Sequence, residues 1–235
     1  FNRMLTTDIA TWHVMDGNFE RPHSIASDGV AYVVDDTDRN AVRVYTYDNE
    51  YFKMIQIVEG IGLRTHRTLY DIESKAFYVM SSNSQSITKL ICDEDHLTIR
   101  YQKSLPFLKG FYTRSMRIIG EYMYFVSGPN YITKTRFHDD SYDVVAFYKV
   151  PHGMESMNYL FFSGSYYYLT STPVNYKEKY GQIVRVRALD DLNKDTPVYE
   201  DIFNQLNTCG SNYYISSFDG RFYISQVFHN NRIVS

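Results

Sequence analysis

The chain has 235 residues, 44% of them hydrophobic, with 24 lysines and arginines against 27 aspartates and glutamates and a net charge of −3. That length supports one domain with a substantial core. The near balance of charge excludes the concentrated basic field that a nucleic-acid or anionic-membrane surface needs, and no apolar run approaches the roughly 20 residues of a membrane span. The first residue is Phe1 rather than Met, so the chain is expected to be trimmed, and a signal peptide or an anchor would go with the missing part.

In chain order, residues 9–15 form the first strand-like segment and have no adjacent partner. A repeat follows. It runs through a short strand at 24–26, the turn Ser27-Asp28-Gly29, strands at 31–34, 42–47 and 52–58, and the turn at 48–50 between the last two. Gly, Asn and Asp punctuate the hairpins because they tolerate positive φ. Each of five such units carries a strand with a tyrosine inside it: Tyr32, Tyr78, Tyr124, Tyr168 and Tyr223, spaced 46, 46, 44 and 55 residues apart. Third strands at 41–45, 86–90, 131–135, 182–186 and 231–235 alternate branched with polar or cationic residues, the period of a strand. A repeat of about 40–50 residues built from short strands marks a β-propeller.

The expected fold is therefore all-β: one five-bladed propeller of four-stranded blades over residues 1–235, with blades beginning near 21, 64, 112, 156 and 211. The last unit stops after its third strand. Segment 1–20 is expected to close the ring, its strand 9–15 completing the last blade and removing an exposed sheet edge. Cys92 and Cys209 are the only cysteines. They fall in repeats that are not neighbours around a ring, so no disulfide is expected, and without a Cys-x-x-Cys pair no thiolate metal site or redox motif is either.

His23-Ser24-Ile25-Ala26, Asp28-Gly29, Tyr32-Val33-Val34-Asp35 and Asn40-Ala41-Val42-Arg43-Val44-Tyr45 resemble an NHL-type propeller repeat. So does Asp219-Gly220-Arg221-Phe222-Tyr223-Ile224 followed by Asn230-Asn231-Arg232-Ile233-Val234. The likeness is close in the first and fifth units and generic in the others. It implies the architecture and no specific activity, because such repeats scaffold binding proteins and enzymes alike. Most members of that family have six blades against the five counted here.

In a propeller, the loops leading into the innermost strands open on one end of the central channel. Residues far apart in sequence converge there. Those loops bring His23, His66, Arg67, Arg114, Glu155, Asn158 and Asn212 to the mouth, and the long loop 172–181 is expected to overhang it with Tyr176. His23 and His66 occupy equivalent places in adjacent blades, as metal ligands do. The third equivalent place is Arg114, whose cation opposes a metal, so neither metal nor cofactor is expected. Asp35 with Glu155 would offer the carboxylate pair of a glycoside hydrolase or a lyase. Arginines suit anionic or polyhydroxylated ligands because guanidinium forks hold oxygen pairs, and tyrosines stack on sugar faces. The leading expectation is a non-catalytic, extracytoplasmic or secreted module that binds carbohydrate or another polar ligand at the channel mouth. A hydrolase or lyase using Glu155 and Asp35 is one alternative, and a protein-interaction scaffold is the other.

Overall fold

The computed structural model describes residues 15–48, 50–108, 112–128, 131–154, 156–172, 182–202, 211–227 and 232–234. Blade one is β1 (Pro22–Ser27), β2 (Ala31–Asp36), β3 (Ala41–Asp48) and β4 (Tyr51–Val58). Blade two is β5 (Thr65–Asp71), β6 (Ala76–Ser81), β7 (Ser86–Asp93) and β8 (His96–Ser104). Blade three is β9 (Tyr112–Ile119), β10 (Tyr122–Gly128), β11 (Tyr131–Arg136) and β12 (Asp143–Lys149). Blade four is β13 (Met157–Ser163), β14 (Tyr166–Ser171), β15 (Ile183–Val186) and β16 (Glu200–Asp201). A fifth sheet holds β17 (Ser211–Phe218), β18 (Arg221–Val227) and β19 (Arg232–Val234). Within each sheet successive strands pair in order and antiparallel. No helix among the described residues is long and apolar enough to cross a membrane.

The fold is an all-β propeller, but the expectation of five four-stranded blades is overturned. Four sheets have four strands each, and the fifth has three among the described residues. Of the strand expected to complete it, residues 9–14 lie outside the described part. Residues 15–20, which follow it, form no strand and lie against blade one. What holds them there is electrostatic. Arg43 sits on β3 almost wholly buried, beside the fully buried carboxylate of Asp36. A buried guanidinium needs more than one partner, and the segment supplies them. Asp16 Oδ2 accepts from Arg43 Nη1 at 2.8 Å and from the Tyr45 hydroxyl at 2.6 Å. The Asn18 carbonyl accepts from Arg43 Nη2 at 2.9 Å, and the Phe19 ring lies 4.8 Å from the guanidinium carbon. These bonds hold the Asp16 carboxyl below its ordinary value, the Tyr45 hydroxyl first among the causes.

Side-chain alternation sends neighbouring residues of each second strand into opposite inter-blade cores. Phe77 and Val79 pack with Val33, Val42 and Val44 of blade one. Tyr78 and Met80 pack with Met116, Met123 and Phe125 of blade three. Tyr124 and Val126 meet Leu160, Leu169 and Val184 of blade four, and Phe161 and Tyr168 meet Ile215 and Ile224 of the fifth sheet. Pairing also corrects the repeat. Tyr78 faces Leu69 and Lys89, and Tyr124 faces Arg117 and Lys134. The blade-one residue in that place is Val33, between Ala26 and Val44, so Tyr32 is one position out of phase with the other four tyrosines. Where Lys89 lies over Tyr78 at 5.7 Å and Lys134 over Tyr124 at 5.9 Å, blade one has a valine pair instead.

The link from β4 to β5 passes through Gly62 at φ +98°. A Cβ there would come within 2.7 Å of Ser81 Cβ, so only glycine fits.

Removing the Arg43 side chain leaves Asp36 and Asp16 facing each other without their shared cation. Arg43→Ala is expected to lower unfolding free energy by about 3–5 kcal/mol, read from chemical denaturation. Combining it with Asp36→Asn should restore part of that loss.

Candidate functional site

One backbone irregularity recurs in every innermost strand. β1 shifts register between Pro22 and Ile25, β5 between Thr65 and Arg67, and β13 between Met157 and Tyr159. β17 shifts between Asn212 and Tyr214, and β9 pairs Thr113 with Ser127 but Ser115 with Val126. Each is a β-bulge, in which two residues oppose one and a side chain is re-aimed. The extra residues are His23 with Ser24 in β1, then His66, Arg114, Asn158 and Tyr213. Because a bulge interrupts alternation, the next residue also reaches the channel: Arg67, Ser115, Tyr159 and Tyr214.

The result is a two-tiered cavity. An outer vestibule of about 650 Å³ lies between Arg21, Pro22, Arg64 and Tyr112. It shares His23, His66, Arg114 and Tyr213 with an inner chamber of about 250 Å³, which adds Arg67, Ser115, Asn158, Tyr159, Tyr214 and Ser225. The His23 and His66 ring centroids lie 4.2 Å apart, the planes tilted by 39°. The Arg67 guanidinium carbon lies 4.7 Å from the Tyr159 ring and 4.6 Å from the Tyr214 ring, within cation–π range of two blades at once. Arg114 donates to Asn158 Oδ1 at 3.0 Å, and Asn158 Nδ2 donates to Thr172 Oγ1 and to the Asn212 carbonyl. Asn158 therefore ties blade three, blade four and the fifth sheet together below the mouth.

The charge balance of the cavity is positive. Arg21 pairs with Asp38 at 3.2 Å, and Arg64 reaches the same carboxylate at 3.9 Å. Asp36 is taken by Arg43 and Arg39. Among the described residues Arg67 and Arg114 have no carboxylate within ion-pair distance. The charge of Asp35 acts on Arg67 from behind the wall, where both carboxylate oxygens are occupied by the hydroxyls of Ser24 and Thr68. Burial pushes the Asp35 carboxyl up to about 6, against the pull of those hydroxyls and of Arg67. Burial pushes His66 down to about 3, helped by His23 and the arginines. It also lowers His23, with Arg21 and Arg64 adding to the effect. Both imidazoles are neutral at pH 7. His23 Nδ1 lies 3.2 Å from the Arg21 carbonyl and 2.8 Å from Thr37 Oγ1, and in the tautomer that donates to the carbonyl the other nitrogen keeps a lone pair.

Of the residues expected from sequence, His23, His66, Arg67, Arg114 and Asn158 line the inner chamber. Glu155 and Tyr176, with most of the loop 172–181, lie outside the described residues. Asn212 is fully buried one position before the bulge, its Oδ1 accepting from Gln226 Nε2 at 2.7 Å, and Tyr213 stands in the cavity instead. Sequence reading missed Ser115, Tyr159, Tyr213, Tyr214 and Ser225. Their signal is the offset of one between strands, visible only once pairing is known. Asp35, the other half of the carboxylate pair with Glu155, does not line the cavity.

The pH dependence of stability separates the buried groups. Folded Asp35 binds its proton more tightly than the unfolded chain, whose value is 3.8, so its contribution falls as pH rises from about 4 through about 6. His66 acts oppositely and costs stability as pH falls below 6.5. Asp35→Asn removes only the first effect. The variant should gain roughly 2–2.5 kcal/mol relative to the parent between pH 4 and pH 7, measured by urea melts at both values.

No protein-family model and no curated protein matches the sequence, so the NHL-type likeness rests on the residues quoted for it. Solved structures do match. A protein provisionally assigned as a 6-phosphogluconolactonase, from Bacteroides uniformis, superposes with a TM-score of 0.65 at 9% identity, over 88% of this chain and 64% of that one. A streptogramin B lyase gives 0.59 at 13% identity, over 95% and 70%. A periplasmic gluconolactonase from Pseudomonas aeruginosa gives 0.53 at 13% identity, over 72% and 51%. The chain thus spans less than two thirds of the length of either lactonase-type structure. At these identities the likeness is one of fold: an all-β propeller.

Proposed function

We propose that the channel mouth recognises a small anionic, oxygen-rich molecule, with derivatives of carbohydrates first among the candidates. The carrying observation is the charge imbalance of the cavity. Arg21, Arg64, Arg67 and Arg114 stand around it, and the only ion-paired carboxylate beside them among the described residues is Asp38. Guanidinium groups beside neutral imidazoles and tyrosine faces favour a ligand that brings oxygen pairs and negative charge. Two of the structural neighbours are named for lactones of a sugar acid, which supports the same chemical class.

Hydrolysis of a sugar-acid lactone is the second reading. In its favour, His23 is held neutral by burial and lines the same cavity as the Arg114 guanidinium, so a base and a group able to stabilise an oxyanion share one chamber. Asp35 has no part in it, since its oxygens are sealed by Ser24 and Thr68.

Calorimetric titration with acidic and neutral monosaccharides tests the leading reading. Acids should bind and neutral sugars should not, with affinity falling as salt rises. Arg114→Ala should weaken the acids by about 1.5–3 kcal/mol, the scale of a lost charge-assisted hydrogen bond. Equal affinity of both proteins for every sugar would remove the site from the mouth and leave the protein-interaction scaffold. Opening of gluconolactone faster than in buffer, lost in His23→Gln, would promote the hydrolytic reading.

A further inference from the structure

Buried polar atoms without a hydrogen-bond partner are rare in folded proteins, and each calls for an explanation. Six occur among the described residues: Arg64 Nε, His66 Nδ1, Arg67 Nε, Ser115 Oγ, His138 Nε2 and Gln182 Oε1. Three of these, on His66, Arg67 and Ser115, line the inner chamber, and Arg64 lines the vestibule above it. The three inner side chains are themselves more than nine-tenths buried. They come from two different blades and meet only because both strands are bulged.

The chemistry of these atoms differs. Arg67 Nε is a cationic donor whose guanidinium is flanked by the rings of Tyr159 and Tyr214, so its N–H edge is what remains to offer a ligand. Ser115 Oγ donates or accepts. His66 is bonded to the Arg114 backbone and is neutral. Nδ1 has no partner, so the bond to the backbone belongs to Nε2; with the ring's single proton there, Nδ1 is a bare acceptor. The chamber therefore asks for a negative oxygen pair and, beside it, a group that donates a proton. A phosphate ester dianion meets the first demand and fails the second, since its oxygens would face a lone pair. An acid with a hydroxyl on the adjacent carbon meets both. The chamber volume of about 250 Å³, against roughly 30 Å³ for a water molecule in the liquid, accommodates a small molecule of that kind.

Resting on the reading of the mouth as an anion site, we infer that the inner chamber is a seat for a 2-hydroxycarboxylate, with the carboxylate on Arg67 and the adjacent hydroxyl donating to His66 Nδ1. The ligand enters acid end first, and its remaining hydroxyls lie in the vestibule near Arg64 and Tyr112. Arg67 sets the charge requirement and His66 the requirement for the hydroxyl.

Three probes and the unmodified protein separate the possibilities: gluconate, 2-deoxygluconate and glucose 6-phosphate, titrated by calorimetry at pH 7.5. Gluconate should bind most tightly, with 2-deoxygluconate roughly tenfold weaker, the scale of one neutral hydrogen bond, and glucose 6-phosphate weaker still. In His66→Phe the difference between gluconate and 2-deoxygluconate should vanish. In Arg67→Met both should weaken by tenfold or more while glucose 6-phosphate changes little. Thermal melts confirm that each variant folds, and the ligand-side comparison stands whether or not they do. Equal binding of gluconate and 2-deoxygluconate, or tighter binding of glucose 6-phosphate, with Arg114→Ala still weakening all three, overturns the hydroxycarboxylate seat and leaves the anion site standing. Failure of all three probes to bind overturns both.

Discussion

The extra residue in each innermost strand is the constraint on which the cavity depends. A regular strand sends alternate side chains to opposite faces, and in a propeller both faces of a blade are spoken for by neighbouring blades. Without the irregularity, polar side chains on β5 or β9 would have to share space with the inter-blade cores. The bulge turns His66, Arg114, Asn158 and Tyr213 toward the channel, with His23 and Ser24 in the corresponding stretch of β1. The pairs on either side are intact, so the sheets pass through the irregularity without loss of order.

Polar contacts from one blade to the innermost strand of its neighbour then hold the bulged strands in place. Thr68 N–H donates to Ser24 Oγ at 2.8 Å, and Thr65 Oγ1 donates to the Ala41 carbonyl at 2.9 Å. Ser82 Oγ donates to the Thr113 carbonyl, Arg117 Nη1 to the Tyr159 hydroxyl and Thr170 Oγ1 to the Tyr213 carbonyl. Farther out, blades two and three share Asp140, which accepts from Lys89 Nζ at 2.8 Å and from the Tyr101 hydroxyl at 3.1 Å. Apolar packing gives these junctions their strength, and the directional bonds give them their register. That rigidity is what allows a guanidinium to be held between tyrosines of two different sheets.

The propeller was legible in the sequence because period-2 patterning, hairpin turns and a repeat of fixed length all report on backbone directly. The number of complete blades was not. An unpaired strand pattern points to closure by residues 9–15, all but the last of which lie outside the described residues; the polar groups of 15–20 are drawn to the buried charges of Arg43 and Asp36, a demand that no pattern along the chain announces. Tyr32 matches the other tyrosines by letter, but register follows pairing, and in blade one the matching place belongs to Val33. The chamber was partly legible. His66 and Arg67 are adjacent, and strict alternation would have put them on opposite faces. Their chemistry suggested that both belonged to the site, and the bulge is the reason both do. Tyr213 was lost to Asn212 by one residue, since a bulge has no composition of its own to mark it.

The same irregularity divides labour along each innermost strand in a way that bears on how such a protein can change over generations. Residues on either side of the bulge are held by ladder bonds and inter-blade packing and tolerate little. The bulged residue opposes no partner of its own, so a new side chain there alters the lining of the channel while the scaffold stays as it was. Asn158 is the exception, since its bonds join three sheets; the other places around the cavity form a combinatorial set of exchangeable sockets. A lineage can redraw its ligand preference one socket at a time while the strand pairing on either side is kept.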